Sequence, residues 1–114
     1  MIEQIILDYL EDEMPDVPCY MERPEKKPVG KYILLEKTGS SLSNHLPSAT
    51  IAVQTYAPSL LETASLNAEV KEVLLRANAL PQVSGVYLQT DYNFTDTATK
   101  QPRYQAVFDF YYYE

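Results

Sequence analysis

The chain has 114 residues, 46% of them hydrophobic and 22% charged, which fits one folded domain over residues 1–114 and argues against wholesale disorder. Acidic residues outnumber basic ones 16 to 9, for a formal charge of −7. That is the wrong sign for a protein that holds DNA or RNA through its phosphates. A lone cysteine, Cys19, excludes an internal disulfide and a cysteine-based zinc site, and fits a reducing compartment.

Ile2, Ile5, Ile6, Tyr9 and Leu10 recur at helical spacing and predict an amphipathic helix over 2–13. Pro15 ends it, and Glu11, Asp12 and Glu13 crowd the negative end of its dipole, so the helix needs tertiary packing to persist. There is no basic segment ahead of an apolar run to read as a secretory leader, and no apolar stretch is long enough to span a membrane.

Residues 15–30 hold four prolines and end in Gly30, with room for a short edge strand at Pro18–Met21. Lys31–Thr38 alternates as a strand, Gly39–Pro47 has the composition of a loop, and Thr50–Tyr56 reads as a second full strand. Ser59-Leu-Leu-Glu62 is a capping box, and the apolar stripe Val70, Val73, Leu74 and Ala77 carries a helix toward Pro81.

The last thirty residues predict a long hairpin, with arms Val86–Phe94 and Arg103–Tyr113. One face carries Val86, Leu88, Thr90, Tyr92 and Phe94 opposite Tyr104, Ala106, Phe108, Phe110 and Tyr112. The other face carries Tyr87, Val107, Tyr111 and Tyr113 and is expected to be free to meet a partner. The order α-β-β-β-α-β-β defines an α+β fold, an antiparallel or mixed sheet of about four to five strands with two helices packed on it.

Candidates for chemistry are few. His45, the only histidine, sits in the polar loop and reads as solvated; Cys19 reads as a small buried hydrophobe. The acidic run Asp8, Glu11, Asp12, Glu13 and Asp16 lacks the spacing of a calcium loop, and Asp96 suggests turn chemistry. Phosphate-loop, dinucleotide and nucleophile-elbow patterns are missing, so we expect no enzyme, no catalytic residue, no cofactor and no metal. Ten tyrosines without a tryptophan either follow strand propensity or mark an interface.

Residues 51–64 (IAVQTYAPSLLETA), the helix that follows, Asp91-Tyr-Asn-Phe-Thr-Asp96 and Arg103-Tyr-Gln-Ala-Val-Phe-Asp-Phe110 together resemble small proteins of Gram-positive prophages. The element order is similar to that of the tail terminator, or tail completion, family of head–tail joining proteins in long-tailed phages. The resemblance runs over residues 2–113 and rests on element patterns, with no catalytic motif to carry over. It implies a structural virion protein of the tail or neck, assembled in the bacterial host cytoplasm into a ring, commonly a hexamer, that caps the tail tube and joins it to the head.

The implied partners are further copies of the chain, the tail tube protein and head-completion or connector proteins. DNA passes through such a ring without specific binding, and no membrane is involved. Sheet edges and the 39–47 loop would supply contacts, which adds Leu42, His45 and Leu46 to Tyr87, Val107, Tyr111 and Tyr113 as candidate interface residues. A small ligand- or peptide-binding module is the alternative reading, with a hydrolase or deaminase around His45 or Cys19 a third.

Overall fold

A computed structural model describes residues 1–43 and 46–113. Helix α1 (Ile2–Glu13) precedes strands β1 (Cys19–Tyr20), β2 (Tyr32–Ser43) and β3 (Leu46–Tyr56). Helix α2 (Leu60–Leu75) and a 3-10 turn (Ala77–Ala79) lead to β4 (Val83–Asn93) and β5 (Arg103–Tyr112). The five strands form one mixed sheet in the order β1-β2-β3-β5-β4, which bears out the α+β fold and its element order. β1 runs parallel to β2, while β2–β3, β3–β5 and β5–β4 are antiparallel. β5 is thus inserted between β3 and β4, the two strands that α2 connects.

Both helices cover one face of the sheet. From α1, Ile2, Ile6, Leu7, Tyr9 and Leu10 are buried, and the Tyr9 hydroxyl donates to the Val73 carbonyl at 2.9 Å, tying α1 to α2. This packing holds a helix whose N-cap, Met1, offers no side-chain bond. α2 begins as its capping box predicts, with the Glu62 amide donating to the Ser59 hydroxyl at 3.2 Å. Its buried stripe Leu66, Val70, Val73 and Leu74 shares one core with the buried residues of α1 and with Ile33, Leu35, Ile51, Val53, Ala106, Phe108 and Phe110 of the sheet. Each of those large apolar side chains contributes about 2 kcal/mol by leaving water.

The short strand foreseen at Pro18–Met21 exists as β1, where the Pro18 carbonyl accepts from the Ile33 amide at 2.9 Å. Gly30, at φ +88, turns the chain from the proline-rich segment into β2.

Two expectations fail, each for a tertiary reason. The polar run Gly39–Pro47 is largely strand, because β2 continues to Ser43 and β3 starts at Leu46. Pairing against β3 outweighs its loop-like composition, and a bulge at Thr38 resets the register before Gly39↔Thr50. The hydroxyls of Ser41 and Ser48 then bond across the pair at 2.7 Å.

The second failure is the alternation along β4. A bulge between Leu88 and Thr90 moves Thr90 and Tyr92 off the packed face, where Asp91 takes their place opposite Ala106. The Lys71 ammonium of α2 meets Asp91 there at 3.0 Å.

Candidate interaction surface

The sheet face turned away from the helices is where the aromatic and polar side chains gather. Cross-strand pairing places on it Tyr32, Leu34 and Glu36 of β2; Leu46, Ser48, Thr50, Ala52, Gln54 and Tyr56 of β3; Arg103, Gln105, Val107, Asp109 and Tyr111 of β5; and Tyr87, Thr90 and Tyr92 of β4. Only Glu36, Arg103 and Asp109 in that set carry a charge at neutral pH. A surface rich in tyrosine and poor in charge has the composition of a protein–protein interface.

Its lower half is closed within the subunit. Tyr32 and Tyr56 stack with ring centroids 4.4 Å apart, and Tyr20 meets Tyr32 edge-on at 6.2 Å. Arg103 lies 4.2 Å from the centre of the Phe94 ring and donates through Nε to the Phe94 carbonyl at 2.8 Å. The Gln101 amide donates to the Tyr32 hydroxyl at 3.1 Å, and burial pushes the Tyr32 phenol above its ordinary range.

Two side-chain rows cross the middle of the face. In the first, the Tyr56 hydroxyl donates to Gln54 Oε1 at 2.8 Å and Gln54 Nε2 to Gln105 Oε1 at 2.9 Å. Gln105 Nε2 continues the row to the Tyr92 hydroxyl at 2.6 Å. In the second, Asp109 accepts from the Thr50 hydroxyl at 2.7 Å and from the Gln89 amide at 2.7 and 2.8 Å. These rows fix the side chains and satisfy the one carboxylate in the middle of the face.

The upper half is open. Leu46, Ser84, Gly85, Tyr87 and Tyr111 line a shallow depression of about 520 Å³. Tyr87 and Tyr111 meet edge-on at 5.6 Å there. Gly85 makes this possible, since a Cβ at that position would come within 3.1 Å of the Tyr87 ring.

Of the interface candidates read from the sequence, the structure brings Tyr87, Val107, Tyr111 and Leu46 together on this face. Leu42 stands at the end of the β2–β3 hairpin, 67% exposed, at a position registered with the helix-covered side. Tyr113 lies past β5 and borders a cleft with Met1, Ile2, Ile5 and Tyr112 on the helix side, apart from the other tyrosines. His45 lies outside the described residues.

Sequence reasoning missed Tyr92, Gly85 and the glutamine row. A glycine two residues before an exposed tyrosine was the one available signal for the depression.

Cys19 is half-buried, and burial together with the nearby Glu11 pushes its thiol up to about 11, which works against a thiolate nucleophile. Asp96 caps its own turn, accepting from the Ala98 amide at 2.9 Å, and these backbone bonds lower its carboxyl. The acidic residues Asp8, Glu11, Asp12, Glu13 and Asp16 are exposed, and among the described residues no three His, Cys, Asp or Glu side chains converge as a metal site would require.

No protein-family model matches the chain, and no curated protein does. Among solved structures the chain is similar to one from the virion of a native gene transfer agent particle, at 17% identity and a TM-score of 0.58. The match covers 82% of this chain and 77% of the other, and at that identity it establishes a shared fold. No helix among the described residues is long and apolar enough to cross a membrane.

Proposed function

We propose that this chain is a structural subunit of a phage or phage-like virion, a tail terminator or neck protein that assembles into a ring between tail tube and head. The observation that carries the reading is the fold shared with a chain of the gene transfer agent virion over most of both chains. The tyrosine-rich sheet face, poor in charge, supports it from a second direction, because a ring subunit must offer surface to its neighbours. Further copies of the chain, the tail tube and the head connector are the partners on this reading, and the chain acts without cofactor or catalysis as one domain over 1–114.

Deleting the gene from its prophage and imaging induced lysates by electron microscopy tests the proposal. Tails of uncontrolled length beside filled, tailless heads place the protein at tail termination. Normal tails beside emptied heads place it at head closure. Normal virions refute the neck reading and favour a ligand-binding module, for which the 520 Å³ depression is the natural pocket.

A further inference from the structure

The two outer edges of the sheet are complementary to each other. β1 pairs with β2 only at Ile33 and Leu34, and among the described residues nothing pairs with β2 beyond that point or with the outer edge of β4. Natural edge strands are guarded by charge, proline or a covering element. Here Thr38–Ser43 of β2 and Val83–Thr90 of β4 contain neither a charged residue nor a proline.

Direction also matches. β4 runs with β3, and β2 runs against it, so a subunit placed beside another in the plane of the sheet sets β4 antiparallel to its neighbour's β2. The bulges at Thr38 and Gln89 flank the same level of the sheet, Lys37–Ile51–Phe108–Leu88, so both edges bend at one height.

We infer that the β4 edge of one copy pairs with the β2 edge of the next, joining the sheets of successive subunits through a heterologous junction; this rests on the ring reading above. Carrying the levels straight across sets Tyr87 opposite Gly39 and Thr90 opposite Glu36 of the neighbouring copy. Tyr87 is 61% exposed, and a Cβ built on Gly39 would meet nothing within 4 Å. The ring therefore has open backbone to cover, as aromatic residues do beside strand glycines. A closed ring leaves neither edge free.

The test is disulfide crosslinking of the full chain carrying Glu36→Cys and Thr90→Cys in a Cys19→Ser background. Within one subunit these positions are separated by three strand spacings, about 14 Å, beyond the ~7 Å reach of a disulfide. A bond can therefore form only between copies. Mild oxidation is expected to give a ladder of covalent oligomers from the double variant and none from either single variant. If the double variant assembles like the parent by light scattering yet forms no ladder, the shifted pairs Glu36→Cys/Tyr92→Cys and Lys37→Cys/Val86→Cys, which leave Tyr87 in place, decide. Failure of these as well overturns the edge junction and leaves the ring standing. A chain that stays monomeric at every concentration overturns both.

Discussion

Thr55 offers a sharp test of how this core is balanced. Its side chain is fully buried on the helix-covered face of β3, and its hydroxyl has no hydrogen-bond partner among the described residues. Replacing it by valine keeps the branched shape that suits a strand and removes a hydroxyl desolvated without compensation. Relief of that penalty is worth about 1–2 kcal/mol, and the added methyl contributes up to ~0.8 kcal/mol more where it fits. Thr55→Val is therefore expected to stabilise the fold by about 1–3 kcal/mol. Scaling the unfolding entropy to this chain length gives a rise in Tm of about 4 °C per kcal/mol. Urea denaturation should show a higher midpoint with an unchanged slope. A variant less stable than the parent would refute the reasoning, because it would mean that the hydroxyl is satisfied in the native state.

Tyr87→Ser with Tyr111→Ser removes two partly exposed rings and their edge contact, costing the monomer about 1 kcal/mol while abolishing assembly; a normal oligomer by light scattering would take both tyrosines out of the interface. Phe108→Ala opens a cavity in the centre of the sheet and should cost about 3–5 kcal/mol by chemical denaturation, far more than a surface change. The thiol of Cys19 stays protonated up to about 11, so at pH 8 iodoacetamide should label the native chain far more slowly than the urea-unfolded one. Because the unfolded thiol ionises near 8.5, the native state holds the extra proton between there and 11, and stability should fall as pH rises through that window.

Much of the fold is local enough to be legible in the residues. The α1 stripe, the Ser59 cap and the alternation of Ala106, Phe108 and Phe110 each express one element's own periodicity or hydrogen bonding, and they appear in the structure as predicted except that Leu7 is buried in α1 and Ile5 only partly so. The surface was only half legible. Val107 and Tyr111 share a face because no bulge interrupts β5, and Tyr87 joins them because it precedes the bulge in β4, whereas the extra residue at Gln89 sends Tyr92 to the face opposite the one its spacing predicts.

By itself, then, the sequence determined the two helices, the strand segments outside 39–47 and the tyrosine-rich character of the chain, since these depend on residues within a few positions of one another. Tertiary structure alone decided that β5 lies between β3 and β4, that the serine run 39–43 pairs as strand, and that Tyr20 of the proline-rich segment and Arg103 pack onto one half of the sheet face and leave the other open. Those outcomes turn on contacts between segments far apart in the chain, whose pairing energy overrides local propensity and leaves no periodic trace in either partner.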